Sequence, residues 1–351
     1  MTKPKDLGFY FPAEWHPHKG TWLSFPKNIE TWENRLEKIY PSYFKFIEII
    51  SKSEEVNINA NDYQTIIFIK AKLDELGIDQ SNIKLFTNKT NDSWCRDHGP
   101  GFLINKNNDS KLILDWEYNA WGGKYPPFDA DNNIPKLIAN YLNLNYVSPG
   151  IVLEGGSVEF NGCGSILTSE SCLLNKNRNP HLSKKQIEQY LIDYYGVEQV
   201  LWVKDGIVGD DTDGHIDDTT RFVNENTVIT MVERNKNDEN HALLNHNLKQ
   251  LKKMRLINQK PLEIIELEMP SPVYDCSERL PASYANFYIT NQHVIVPTYN
   301  CDNDEKALEI LQDCFKDRIV VGIDSTEIIW GLGSFHCLSQ QEPLPNKFKG
   351  I

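Results

Sequence analysis

One phrase recurs along this chain: an amphipathic helix, a small stop residue, then a short apolar strand. It is clearest where Ile187, Tyr190, Leu191, Tyr194 and Tyr195 fall at helical spacing behind a Ser183 and Gln186 capping box, with Gly196 closing the helix before the apolar run 200–203. The same phrase reads from Asp62 as N-cap through a helix to Leu76, the stop Gly77 and a strand over 83–86. It reads again where Ala307, Leu308, Ile310, Leu311, Cys314 and Phe315 share a helical face ahead of a strand over 318–321. Weaker copies span 132–142 and 241–254, the second followed by a strand at 262–267. Helix ends near 76, 143, 195, 254 and 315 give a spacing of roughly sixty residues, which predicts five similar units. No long linker separates them, so the expected fold is α/β, a closed five-unit propeller forming one domain over 1–351, with a site where the units converge. Alternating helices and strands would also fit an open two-domain sheet.

Polar stretches that mix reactive groups with turn-forming glycine follow the strands. They are Trp94-Cys95-Arg96-Asp97-His98-Gly99, Leu153-Glu154-Gly155-Gly156-Ser157, the run from Asp210 to Asp218, and Gly331-Leu332-Gly333-Ser334-Phe335-His336-Cys337. Asp97, His215 and Cys337 each lie about twenty residues past a helix end, which predicts that they meet at one mouth. Glu154 comes sooner after its helix and fits the scheme less well. The run GDDTDGHIDD holds five aspartates within nine residues, a repulsion that a cation, a proton or solvent must relieve. A solvated acidic loop would account for it, and its spacing does not match an EF-hand. Read as leading straight into a strand over 219–223, the period of two places His215 and Asp217 on one face, an acid/base pair. Cys337 follows a glycine-rich turn, while Cys95 lies next to Arg96, whose charge favours a thiolate; on an extended segment Cys95 shares a face with Asp97 and could equally pack beneath the site. Trp116 reads as core, whereas Trp94 and Trp121 can wall a cation slot.

Composition narrows the ligands. The net charge of −13 repels phosphate backbones and anionic lipid, so no nucleic acid and no membrane surface is expected as partner, and small cations are favoured. No stretch approaches the ~20 apolar residues of a membrane span, and the first residues lack a signal-peptide core, which predicts a cytoplasmic chain. Seven scattered cysteines without a C-x-x-C pair suit neither a disulfide framework nor a zinc knuckle. There is no Walker loop and no H-E-x-x-H, and Gly331-x-Gly333 lacks the third glycine of a dinucleotide fingerprint, so neither cofactor nor metal is expected.

Carboxylates, aromatics and a thiol suit one electrophile: a planar, cationic carbon of the guanidinium type. Its pKa above ~12 keeps it protonated and resistant to water, so a stronger nucleophile such as a thiolate is required. Asp97 and Asp217 can take bidentate hydrogen bonds from its N–H groups, and His215 can protonate departing ammonia and then activate water, with Glu154 orienting it. A cysteine amidase would have no reason to gather three carboxylates, and a polyamine-binding module would be indifferent to the thiol.

The segments PAEWHPHKGTW, DSWCRDHGP, WEYNAWGG, LEGGSVE, LTSESCLLNKNRNPHLS, GDDTDGHIDD, ASYANFYITN, VIVPTYN and GSFHCLSQQ occur in one order over nearly the whole length. In them the chain resembles the agmatine deiminase family of guanidino-group-modifying enzymes, which is related to bacterial peptidylarginine deiminases. The resemblance implies a five-unit pseudosymmetric propeller and conversion of agmatine and water to N-carbamoylputrescine and ammonia, without metal or organic cofactor. It implies Cys337 as nucleophile, His215 as acid/base, Asp97 and Asp217 as guanidinium ligands and Glu154 as supporting carboxylate. A homodimer is common among such enzymes. The family more usually has N-G-H-V-D-N where this chain has Asp213 to Asp218, and G-G-G where it has Gly331-Leu332-Gly333. These neighbours bear on the choice among agmatine, free arginine and peptidyl arginine. The stretch EYNAWGGK over 117–124 lacks an arginine to clamp a carboxylate and offers only Lys124, while Asp211, between Asp210 and Asp213, supplies a field that favours a cation.

Overall fold

The computed structural model describes residues 2–346. It is a mixed α/β structure in which five sheets of three or four strands share one pattern, an antiparallel pair extended by a parallel strand after a helix. Val158–Phe160 pairs antiparallel with Ser165–Ser169, and Gln199–Val203 returns parallel after the helix Lys184–Tyr195. Thr220–Phe222, Thr227–Val232 and Glu263–Glu268 repeat this around Glu239–Leu251, and Tyr288–Ile289, His293–Thr298 and Ile319–Asp324 around Asn303–Cys314. Gly101–Asn105, Lys111–Leu114 and Tyr146–Val147 do so around Ile134–Leu142, with Phe9–Tyr10 added at the edge. In the remaining sheet, Ser339–Pro343 pairs antiparallel with His18–Ser24, so strands more than three hundred residues apart share a sheet. A separate hairpin joins Tyr274–Asp275 to Glu278–Arg279.

Local chemistry sets the boundaries. The Ser183 and Gln186 capping box opens its helix and Gly196, at φ +68°, ends it in the left-handed conformation that glycine adopts freely. Asp62 accepts the Thr65 N–H at 2.7 Å and starts Tyr63–Glu75. Ser165–Ser169 is buried at every position because a helix or a neighbouring unit covers each face, which is why it carries no period-two alternation.

The regular spacing misplaces one crossover. It counts Tyr63–Glu75 as the first, but the helix joining His18–Ser24 to Glu55–Asn59 is Leu36–Ser51, and Tyr63–Glu75 adds a further strand, Ile83–Phe86. Leu36–Ser51 lacks a side-chain N-cap and contains Pro41, so neither the start nor the stop signal of the other helices marks it. Tertiary packing holds it instead: Tyr43, Phe44, Phe46, Ile47 and Ile50 are buried in one cluster with Leu23, Ile58 and Ile323.

Apolar packing is divided among several clusters rather than gathered in one. Ile187 and Leu191 pack with Ile166, Leu244 with Ile229, and Ile138 with Ile113. A buried ionic network also lies inside. Arg221, fully buried, is 2.9 Å from Glu159 and 3.1 Å from Glu14, and Glu14 also reaches Arg96 at 3.3 Å and His336 at 2.8 Å. Burial alone would raise the Glu14 carboxyl, but Arg221, His336 and Arg96 outweigh it and hold it well below the carboxylate range. Among the described residues no helix is long and apolar enough to cross a membrane.

Candidate active site

Cys337 and Asp97 reach the floor of a cavity of about 730 Å³. Trp94, Trp121, Tyr118 and Trp32 form walls, and Asp211, Asp275 and Glu278 belong to its lining. Asp97 sits on the helical turn Cys95–His98, not on an extended segment, so it and Cys95 diverge. Cys95 packs with Trp22, Phe102 and Ile113, and burial pushes its thiol up to about 12. Of the two cysteines, Cys337 lines the cavity and Cys95 does not.

The Asp97 carboxylate is held at both oxygens. Oδ1 accepts the Gly156 N–H and Oδ2 the Trp121 indole N–H, each at 2.9 Å. Trp121 belongs to a left-handed turn, Ala120 φ +50°, Trp121 φ +54° and Gly122 φ +95°, a conformation unfavourable for bulky side chains, and the turn aims its indole at Asp97. Burial raises the Asp97 pKa, His215 opposes this, and Asp217 and Glu154 add to it.

His215 and Asp217 do not share a strand face. His215 caps a single 3-10 turn, Ile216–Asp218, and the strand starts only at Thr220. Both groups still point inward. A Cβ built on Gly156 would lie 2.6 Å from His215 Nδ1, 2.9 Å from Asp97 Oδ1 and 3.0 Å from Asp217 Oδ2. Three side chains from two distant segments therefore face one volume over a glycine that must lack a side chain. Gly156→Ala is expected to keep the fold but lower kcat/KM at least ~100-fold, because displacements of about 1 Å in a catalytic constellation have that effect. Steady-state assays paired with thermal melts check this, and near-native kcat/KM in the alanine variant would show the space to be spare.

His215 Nδ1 is 3.7 Å from Asp97 and Nε2 is 3.8 Å from Glu154, too far for hydrogen bonds, and neither ring nitrogen has a hydrogen-bond partner among the described residues. Burial disfavours its charge, but Asp97, with Cys172 and Glu154, outweighs this and raises the imidazole well above its ordinary value. Glu154 is itself anchored by Arg178, whose Nε donates to Oε1 at 2.6 Å. Burial would raise Glu154, yet Arg178 and His215 hold it low. Asp217 Oδ2 accepts from His336 Nδ1 at 2.6 Å and lies 3.7 Å from Cys337 Sγ; burial is again outweighed, chiefly by His336, and its carboxyl stays low. Burial, then Asp217, Asp218 and Asp97, push the Cys337 thiol well above its ordinary value.

The acidic run is not a solvated loop. Asp210 is bonded to the His215 N–H at 3.0 Å, and Asp213 to Arg178 at 2.6 Å and Asn177 at 2.9 Å. Asp211 is partly exposed at the rim, bonded to Lys124 at 3.0 Å and to the Tyr125 hydroxyl. Sequence reasoning singled out Cys337, His215, Asp97, Asp217 and Glu154 but gave no role to His336, Arg178 or Asn286. His336 adjoins Cys337 in sequence, which was a usable signal; Arg178 and Asn286 carry none that periodicity or spacing reads.

Among the described residues, two groups bring three potential metal-ligating atoms within 4.8 Å of one another: Glu154 with Cys172 and His215, and Asp217 with Asp218 and Cys337. Both are built from residues of this same site, and each has a member already bonded to a nitrogen donor, Glu154 to Arg178 and Cys337 to Asn286.

The family model of the Porphyromonas-type peptidyl-arginine deiminases matches residues 10–343. The chain belongs to that family. A Legionella pneumophila protein provisionally named agmatine deiminase is 37% identical over 99% of this chain and 98% of its own. The agmatine deiminase of Enterococcus faecalis superposes with a TM-score of 0.92 at 32% identity, covering 98% of each chain. A C. jejuni agmatine deiminase with substrate bound, a cysteine-to-serine variant, superposes with a TM-score of 0.86 at 34% identity, covering 95% of this chain and 96% of its own.

Proposed function

We propose that this member of the family is an agmatine deiminase, hydrolysing agmatine to N-carbamoylputrescine and ammonia through a covalent adduct on Cys337. The observation that carries the choice of substrate is the state of Lys124. Among the described residues lining the cavity it is the one basic residue, and its ammonium already lies 3.0 Å from Asp211 and 3.1 Å from Asp213. A substrate carboxylate would enter an acidic cavity without a free cation, while a second amine would find carboxylates and aromatic faces.

In the reaction, the guanidinium rests between Asp97 and Asp217, its planar N–H groups donating to their carboxylates. Its positive charge offsets the carboxylates that disfavour a thiolate at Cys337. Sγ bonds to the guanidinium carbon, giving a tetrahedral adduct; the bond to a terminal nitrogen then breaks, and ammonia leaves with a proton from His215. His215 next takes a proton from water, whose oxygen attacks the thiouronium carbon. Breaking the C–S bond restores the thiolate, and the adduct's remaining hydroxyl proton passes to solvent as the neutral urea product leaves. Glu154, anchored by Arg178, faces Nε2 and stabilises the imidazolium form that the first proton transfer consumes.

The reading includes one catalytic domain over the whole chain, built as a pseudosymmetric ring of five units with the cavity at its centre. The five sheets of common pattern and the pairing of Ser339–Pro343 with His18–Ser24 support it. Trp94, Trp121 and Asp211 are the proposed walls and rim for the substrate chain. A reducing compartment suits the seven free cysteines.

Agmatine should exceed free arginine in kcat/KM by at least ~100-fold, since an unpaired carboxylate in this field costs several kcal/mol at ~1.4 kcal/mol per factor of ten. The check compares agmatine, arginine and a peptide ending in arginine at equal ionic strength. The family model is described by peptidyl-arginine, so an arginine substrate equal to or better than agmatine would move the reading there, with Lys124 as the first residue to test.

A further inference from the structure

Asn286 ends the buried turn Tyr284–Asn286, and four hydrogen bonds fix its carboxamide. Oδ1 accepts the backbone N–H of His336 at 3.1 Å and of Cys337 at 3.2 Å. Nδ2 donates to Asp218 Oδ1 at 2.9 Å and to Cys337 Sγ at 2.9 Å. A flipped amide would set its NH2 group against two N–H donors and its oxygen against a carboxylate oxygen and a sulfur lone pair, so the network permits one orientation. No role in the proposed reaction has so far fallen to this side chain.

We infer that Asn286 is a further catalytic residue: its N–H stabilises the Cys337 sulfur as a thiolate, both when it attacks and when it departs from the thiouronium carbon. The inference rests on the reading of Cys337 as nucleophile. A neutral thiol is a weak acceptor, whereas a thiolate takes a charge-assisted bond, so the donor favours the ionised form selectively. The need is evident from what faces the sulfur. Asp97 projects from Cys95–His98, Asp217 and Asp218 from Ile216–Asp218, and all three disfavour negative charge there, which the Ser334 backbone opposes; the Asn286 N–H points at the same sulfur from 2.9 Å. His215 lies 3.7 Å from Asp97 and 3.8 Å from Glu154, and His336 is bonded to Asp217 and Glu14 rather than to the sulfur.

Stabilising a thiolate also blunts its nucleophilicity, but only by about half of the shift on a logarithmic scale. The larger thiolate fraction and the better leaving group therefore win. The same carboxamide holds both the sulfur and the backbone N–H of Cys337, which restricts the torsion that aims the sulfur at the cavity.

The test uses Asn286→Ala and Asn286→Ser, which remove the N–H donor, the second retaining a polar oxygen near the His336 and Cys337 amides. Iodoacetamide labelling of Cys337 is followed against pH by peptide mass spectrometry, beside kcat and KM for agmatine and thermal melts. Each folded variant should show its labelling midpoint raised by at least one unit, about tenfold less thiolate below it, and kcat lowered at least ~tenfold with KM within ~threefold. Folded variants that keep the wild-type labelling profile and kcat overturn the inference. If alanine prevents folding, the serine variant supplies the reading. Activity surviving in Cys337→Ala would overturn the nucleophile reading and this inference together. An inactive Cys337→Ala beside unaltered Asn286 variants would overturn the inference alone.

Discussion

Cys337→Ala is expected to abolish ammonia release from agmatine while leaving the melting temperature close to that of the unaltered protein. The loss should exceed ~10³-fold, because without sulfur the guanidinium carbon faces only water and no covalent intermediate divides the barrier. The fold should tolerate the change, since Cys337, although buried in one cluster with Phe335 and Leu338, also borders a cavity, and its backbone bonds to Asn286 and Arg96 do not involve the sulfur. Cys95→Ala is the informative companion. Its sulfur is buried with Trp22, Phe102 and Ile113, so the change should cost stability, about 1–2 kcal/mol for a small buried side chain, and activity only modestly. A dead Cys95 variant beside a Cys337 variant that keeps substantial turnover would reverse the assignment.

The second large effect is expected at Asp217. Asp217→Asn should lower kcat/KM by ~10²- to ~10³-fold, that is by roughly 3–4 kcal/mol at 1.4 kcal/mol per tenfold. Two causes act together. The substitution removes the charge that pairs with the guanidinium, and the 2.6 Å contact with His336 Nδ1 would claim the new amide oxygen, leaving its NH2 group toward the substrate. Asp97→Asn should behave similarly, because its Oδ1 and Oδ2 already face the N–H groups of Gly156 and Trp121. Near-normal kcat/KM in both variants would mean that the guanidinium binds elsewhere. His215→Ala should retain substrate affinity while stalling turnover, and intact-mass spectrometry is the place to look for the trapped adduct.

Much of the secondary structure was legible because helix termini obey local rules. The Ser183 box, the Asp62 cap and Gly196 mark boundaries that depend on a few neighbouring residues, and the structure has those boundaries. Leu36–Ser51 was not legible for the converse reason: with Pro41 inside and no side-chain cap, it is held by distant partners such as Ile323. The His215 and Asp217 pair shows the same division. Their chemistry was readable from residue type, but the period-two argument placed them on a strand when the backbone makes a 3-10 turn. They meet Asp97 because Gly156, from another segment, leaves room for all three.

By itself, then, the sequence determined which chemistry was available: a thiol, an imidazole, acidic groups and tryptophans, in units of similar rhythm and with a net charge that favours cations. Tertiary structure alone decided which of two cysteines opens to the cavity, that Lys124 is already held by Asp211 and Asp213, and that Arg178, His336 and Asn286 hold Glu154, Asp217 and Cys337. The physical reason is range. Capping, helical period and charge composition act over a few residues or over the whole chain at once, and a sequence displays both. Desolvation and hydrogen bonding at a buried site depend on atoms a few ångströms apart in space and, for Glu14 and His336, more than three hundred residues apart along the chain.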